Sequence, residues 1–316
     1  MSKKVRHILV SSAISLLILI IQVWRSWPDS DAHFVFCDVG QGDAILVTSG
    51  FTQLLIDGGR SDEKILTCLE DHLPFWDRTI ELVVATHADA DHIGGLDAVI
   101  ENYEVKKMIS TDFKKETKIF DDFKKAVEQE LRVGAVLKKP ILGQQMRFTQ
   151  EGPPLLLSIL SPRVEQLQAA VENSPNTETG LSDLGQVLGV AVDEGFDYNQ
   201  LSIVLLLEVG EVRLILTGDL EKEIELALID SGLLSDVDIL KVGHHGAKTS
   251  TSPEFIEVVR PETSIISVGE SNSYGHPSLE TINNLTQFDS KILRTDKLGT
   301  IELVSDGEKY WLLSKN

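Results

Sequence analysis

Four metal-capable side chains, His87, Asp89, Asp91 and His92, fall within six residues, directly after the apolar run that ends at Ala85. Closely spaced carboxylates and imidazoles repel one another or stay unsatisfied unless a cation lies between them, so the stretch reads as a metal loop rather than a polar turn. In a strand-to-helix loop they can point alternately at two neighbouring cations, while Gly94-Gly95 lets the backbone turn sharply beside them. Other short pieces carry residues of the same kind: Asp38-Val39-Gly40-Gln41-Gly42-Asp43, Asp57 before Gly58-Gly59, Asp219 after Thr217-Gly218, His244-His245 before Gly246, and His276 between Gly275 and Pro277. Each piece alone is an ordinary turn sequence. Asp38 to Asp43 has two glycines but no lysine, so it is not a nucleotide phosphate loop, and no nucleotide cofactor is expected. It reads as a tight hairpin turn, with Asp43 open as a contact to substrate or metal. His7, His33 and His72 stand outside any cluster and read as structural or surface residues.

As a set, these pieces resemble the metallo-β-lactamase superfamily. His87 to His92 is similar to its His-x-His-x-Asp-His signature, with Asp89 where the second His normally stands. That variant, taken with the other pieces, resembles the extracytoplasmic hydrolase domain of the ComEC competence proteins over about His33 to Val304. The resemblance implies an αββα sandwich and two divalent ions, Zn²⁺ or Mn²⁺. It implies that His87 binds the first ion, that Asp91 and His92 bind the second, and that Asp219 bridges both. Asp89 belongs to the same ligand set. As a hard carboxylate in place of an imidazole, it is expected to move the activity optimum toward Mn²⁺.

His245 is the preferred further ligand. Neighbouring side chains diverge, which leaves His244 as a proton donor, a substrate contact or a buried ring with its hydrogen bonds satisfied. His276 is a further ligand or a general acid. Asp57 either orients a ligating His or caps a turn. The catalytic set is therefore Asp91, which would orient the attacking hydroxide, with His244 and His276. Two cations would lower the pKa of a bridging water and polarise the bond attacked.

The elements that must position these residues follow from hydrophobic patterning. His33 to Asp38, Ala44 to Thr48 and Gln53 to Asp57 read as a β meander. Helices are expected at Ile65 to His72, Leu96 to Tyr103, Lys114 to Leu131 and Glu221 to Ile229, and strands at Leu82 to Thr86, Leu155 to Leu160 and Val237 to Val242. The clearest hairpin joins Leu201 to Val209 with Val212 to Thr217 through Gly210-Glu211. Ser174 to Asn199, rich in turn residues and acids, reads as a loop insertion. Strands followed by helices in both halves predict two sheets packed face to face with helices outside.

Before the domain comes an apolar stretch, Ile8 to Trp24, preceded by Lys3, Lys4 and Arg6. It predicts an uncleaved membrane anchor with the cationic end in the cytoplasm and Trp24 and Trp27 at the interface. Residues 1–31 are thus expected to form tail, anchor and linker, and 32–316 the hydrolase domain, outside the cytoplasm, or secreted if the segment is cleaved. Cys37 and Cys68 match no zinc pattern and read as two buried free thiols.

Function is less narrowly drawn. The chain carries 29 Lys and Arg against 49 Asp and Glu, a net charge of −20, so its outer field mostly repels polyanions. Lys106 to Lys139 nevertheless holds ten basic residues against six acidic, whereas Val164 to Val212 has nine acidic and no basic residues. Lys114, Lys115, Lys118, Lys124 and Lys125 could hold a nucleic-acid backbone, but interleaved acids favour a solvated helix with local ion pairs. The expected activity is metal-dependent hydrolysis of a phosphodiester, DNA among the candidates. The alternatives are a hydrolase of small or phosphorylcholine-type esters on envelope polymers, and a non-catalytic metal-stabilised module of a DNA-uptake or envelope complex.

Overall fold

The computed structural model describes residues 2–111, 113–149, 152–163, 190–191 and 197–313. In chain order, α1 (Lys3–Arg25) is followed by β1 (Ala32–Phe36), β2 (Ile45–Ser49), β3 (Thr52–Ile56), α2 (Asp62–His72), β4 (Thr79–Ile80) and β5 (Leu82–Ala85). Next come α3 (Ala90–Ile93), α4 (Leu96–Asn102), β6 (Glu104–Val105), β7 (Lys107–Ser110), β8 (Phe113–Lys114), α5 (Lys118–Val133) and β9 (Val136–Lys138). The second half runs β10 (Gln145–Phe148), β11 (Leu155–Ser161), β12 (Val190–Ala191), β13 (Val204–Val209), β14 (Val212–Leu216), α6 (Lys222–Ser231) and β15 (Ile239–Lys241). It ends with α7 (Pro253–Val259), β16 (Thr263–Ile266), α8 (Leu279–Gln287), β17 (Lys291–Arg294), α9 (Thr295–Leu298), β18 (Ile301–Ser305) and β19 (Tyr310–Leu312).

Two mixed sheets, ordered β19-β18-β1-β2-β3-β5-β7-β9 and β10-β11-β13-β14-β15-β16-β17, stack face to face. Between them lies one apolar cluster that includes Phe34, Phe36, Leu54, Val84, Leu205, Leu214 and Ile239. Two further clusters fill the outer faces, one under α2, α4 and α5 and one under α6, α7 and α8. This is the expected αββα sandwich. Central strands are buried on both faces, which is why β5 reads Leu-Val-Val-Ala without alternation.

The strand polarity decides where the chemistry falls. β3 and β5 are parallel neighbours in one sheet, and β14 and β15 in the other. Asp57, the His87 loop, Asp219 and the His244-His245 pair each follow one of these four strands. Ligand sites of open α/β sheets form at such carboxyl ends.

Three expectations need correction or placement. Cys37 and Cys68 are joined by a disulfide across 31 residues of sequence, tying the end of β1 to α2, so they are not free thiols. The charged helix begins at Lys118 rather than Lys114, because the Thr117 hydroxyl caps it by accepting from Phe120 N–H. Most of Ser174 to Asn199 lies outside the described residues.

Candidate metal centre

The loop after β5 is locked from beneath. The carboxylate of Asp57 accepts hydrogen bonds from Thr86 N–H and Thr86 Oγ1, both at 2.7 Å, and its Oδ2 lies 2.8 Å from His92 Nδ1. Asp57 is fully buried at a positive φ of 61°. Gly42 has no room for a side chain, since an added Cβ would stand 2.1 Å from the carbonyl oxygen of Asp91. That carbonyl accepts from Asp43 N–H, so the hairpin turn after β1 packs directly on the loop.

Above this floor the imidazoles of His87, His92, His244 and His245 surround Asp219. His92 Nε2 lies 3.1 Å from Asp219 Oδ1, and His245 Nε2 lies 3.5 Å from the same oxygen and 3.5 Å from Asp91 Oδ2. On the other side, His87 Nε2 and His244 Nε2 lie 3.9 and 3.8 Å from Asp219 Oδ2. Asp219 therefore faces His92 and His245 through one oxygen and His87 and His244 through the other; ligand atoms within 4.8 Å of one another group as Asp91-His92-His245, Asp43-His245-Asp219 and His87-His92-Asp219, with His244 at the margin. Asp91, His92, His245 and Asp219 were all expected here, as was His87. His244 joins them because it and His245 both adopt left-handed backbone conformations, at φ 46° and 53°, which turn two consecutive rings inward.

Asp89 does not join the cluster. Its Oδ1 is 2.7 Å from Lys115 Nζ, so the short carboxylate is turned toward a lysine from outside the loop. His276 stands at the rim, its ring 5.7 Å from that of His244 and stacked on Tyr274.

The residues present fit a cation. His87 Nε2, His92 Nε2, His245 Nε2 and Asp219 Oδ1 are buried without a hydrogen-bond partner, although buried polar atoms are almost always paired. Three imidazole nitrogens and a carboxylate oxygen are the donor set of a borderline divalent metal. Electrostatics within the cluster is correspondingly tense. Burial works to raise the Asp219 carboxyl, but His245 and His92 overcome it and hold it well below the usual range. Burial lowers His87, whereas for His245 the charges of Asp219 and Asp43 outweigh burial and bring it up to about 9.

Partners behind the rings were largely missed from sequence. His245 Nδ1 lies 3.0 Å from the Ser267 carbonyl and 3.4 Å from Asp43 Oδ1, and Asp43 Oδ2 in turn pairs with fully buried Lys241 at 2.7 Å. His244 Nδ1 lies 3.1 Å from Glu221 Oε1. A lysine inside the apolar run Ile239-Leu240-Lys241-Val242 is the signal that could have exposed the first of these, because a buried ammonium needs a carboxylate. The five lysines considered for DNA mostly meet acids: Lys114 with Glu116, Lys118 with Asp122 and Lys124 with Glu128, besides Lys115 with Asp89.

A family model described as the metallo-β-lactamase superfamily matches residues 37–270. Among curated proteins, the chain is similar to ComE operon protein 3 of Bacillus subtilis, 28% identical over 95% of this chain and 36% of that protein. It is also similar to competence protein ComA of Neisseria gonorrhoeae, 25% identical over 87% of this chain and 32% of that protein. The chain thus spans about a third of the length of these relatives. Among solved structures, the diiron β-hydroxylase CmlA from Streptomyces venezuelae superposes with a TM-score of 0.51 at 9% identity, covering 90% of this chain and 55% of that one, a likeness of fold alone.

Proposed function

This chain belongs to the metallo-β-lactamase superfamily, and we propose that it is a membrane-anchored hydrolase with a two-cation centre that cleaves phosphodiesters, DNA among them. The observation that carries this reading is the convergence of buried His87 Nε2, His92 Nε2, His245 Nε2 and Asp219 Oδ1, which face one another without forming well-aligned hydrogen bonds. One cation would be held by Asp91, His92, His245 and Asp219 Oδ1, the other by His87, His244 and Asp219 Oδ2. Bound there, two divalent ions would supply Lewis acidity and a strong oxygen nucleophile at neutral pH, a combination suited to stabilising both attacking and leaving oxygens.

The chain's own residues would do the rest. Asp57 fixes the His92 ring, and Ser267 with Asp43 fixes that of His245. Asp91, about a quarter exposed, is our choice for orienting the attacking water by accepting a hydrogen bond from it. His276 is our choice for meeting the leaving oxygen. The competence-protein relatives favour DNA, and the acidic balance of −20 favours a smaller ester such as a phosphorylcholine ester.

For topology, α1 spans 23 residues with none buried and contains an 18-residue window of mean hydropathy 2.1, long enough to cross a bilayer. Lys3, Lys4 and Arg6 favour a cytoplasmic start. The Cys37–Cys68 disulfide favours an oxidising compartment for the domain beyond residue 31.

The test uses the full chain in detergent, loaded with Mn²⁺, Zn²⁺ or Mg²⁺, on single-stranded DNA, duplex DNA and chromogenic phosphodiesters. Turnover of a diester with at least one metal is expected. Turnover of phosphorylcholine esters alone would move the assignment to the smaller substrate, and no turnover on any substrate would leave a metal-stabilised module.

A further inference from the structure

At the end of the domain opposite the metal centre, aromatic side chains from three separate segments gather beside the exit of α1. Trp27 lies 5.3 Å from Phe51 and 5.7 Å from Trp76, and Phe51 lies 5.7 Å from Trp76, centroid to centroid. Trp76 Nε1–H donates to Ser26 Oγ at 3.2 Å, which ties the patch to the end of the helix. Within the group Trp27 is 56% and Trp76 37% exposed while Phe51 is half-buried, and the chain neighbours Trp24 and Phe75 are 77% and 50% exposed. Water-soluble domains seldom present that much contiguous aromatic surface, whereas Trp, with an apolar body and one N–H donor, is favoured at the level of lipid headgroups.

We propose that Phe51, Phe75 and Trp76 dock the catalytic domain onto the outer surface of the bilayer crossed by α1, with Trp24 and Trp27 completing one interfacial patch. This rests on the reading of α1 as a membrane anchor. Continuity identifies the occupant, since the exposed apolar helix ends at Arg25, two residues before Trp27 in the patch itself. Charge selects the headgroup. A cavity of about 1020 Å³ beside the patch is lined by Trp27 and Phe75 together with five carboxylates, Asp29, Asp31, Glu70, Asp71 and Glu302, which outnumber the basic Arg25, His33 and His72 in the same lining. Such a rim attracts the ammonium of a zwitterionic lipid and repels an anionic one.

Docking also sets the height of the chemistry. Phe51 sits in the turn before β3 and Asp57 directly after it, and Trp76 likewise precedes β5 while His87 follows it. A strand of five residues is about 17 Å long, so with the strands upright on the bilayer the metal centre would stand up to roughly that far above the docked surface.

The experiment reconstitutes the full chain in phosphatidylcholine vesicles whose acyl chains carry bromine near the headgroup, a short-range quencher of tryptophan emission. Two single-tryptophan forms are compared, with the other three tryptophans changed to Phe: one keeps Trp24, the other Trp76. Docking predicts that both are quenched, Trp76 losing roughly half its emission as a ring at headgroup level should. Replacing half the lipid with phosphatidylglycerol should weaken Trp76 quenching, and unchanged quenching would remove the headgroup assignment. In the Trp76 form, F51S with F75S should restore emission while Trp24 quenching, read in its own form, persists. Quenched Trp24 with unquenched Trp76 overturns docking and leaves the anchor standing, whereas loss of quenching at both overturns the anchor and docking together.

Discussion

The two halves of the metal centre are built to different standards. Around His92 and His245, every ring has its outer nitrogen fixed by a buried partner, namely Asp57 for one and Ser267 with Asp43 for the other. Around His87 and His244 the supports are a hydroxyl, Thr86 Oγ1 at 3.1 Å, and the part-exposed carboxylate of Glu221. The first half offers Asp91 as a carboxylate of its own, whereas Asp89, two residues after His87 in the same loop, is turned away to Lys115. Fewer donors and looser supports mean a weaker hold on a cation. If two cations share Asp219, as proposed, the comparison predicts a tighter hold on the His92-His245 side than on the other.

The largest effect should come from removing what both halves share. Asp219→Ala is expected to lower turnover by about 10³-fold or more, the scale of deleting a principal electrostatic stabiliser. Bound metal, counted by mass spectrometry of metals after dialysis, should fall in both halves, because Oδ1 faces one and Oδ2 the other. Two retained ions with near-normal turnover would dissolve the comparison, since neither half would then depend on the bridge.

A smaller effect should separate the halves. Asp57→Asn, which keeps the shape but weakens the acceptor behind His92, is expected to cost about 10- to 100-fold in affinity for the tighter ion. Glu221→Gln should cost less than about tenfold, and only at the weaker ion, because His244 is a quarter exposed and its partner likewise. Titration against a chromophoric chelator resolves the two affinities. Equal losses at both ions for either variant would break the distinction.

How far the site was legible depended on backbone conformation. The His87 to His92 loop and Asp219 could be read because their residue types and spacing, after apolar strands, leave few other uses. His244 could not. Sequence neighbours diverge in regular backbone, and only two successive residues at positive φ bring both rings to Asp219. Asp57 stayed ambiguous between turn cap and histidine support, and in the structure it serves both ends, holding Thr86 N–H and His92 Nδ1 together. The sheets and most helices were legible from periodicity. The Cys37–Cys68 pairing was not, because 31 intervening residues fix no distance until β1 and α2 are packed.

The smallest effects, and the finest test of the two halves, lie at residue 89. Its carboxylate makes no capping bond to the short helix that follows it and is bound to Lys115 instead. That pair is about one-third exposed on both sides, and exposed pairs contribute about 1 kcal/mol or less. Asp89→Ala should therefore change turnover by no more than about fivefold, since 1.4 kcal/mol corresponds to a factor of ten, and should leave the ranking of Mn²⁺, Zn²⁺ and Mg²⁺ unaltered. The earlier expectation that Asp89 itself favours Mn²⁺ loses its basis if it never reaches the ion. Asp89→His is a different perturbation. Imidazole is longer, cannot pair with the Lys115 ammonium as a carboxylate does, and would give the poorer half a third nitrogen donor beside His87 and His244. Nitrogen-rich sites favour Zn²⁺, so the mutant should bind Zn²⁺ more tightly at the weaker ion and shift its activity optimum toward that metal. An Asp89→Ala enzyme that lost its metal ranking would instead put the carboxylate in the ligand set and make the two halves more alike than their geometry indicates.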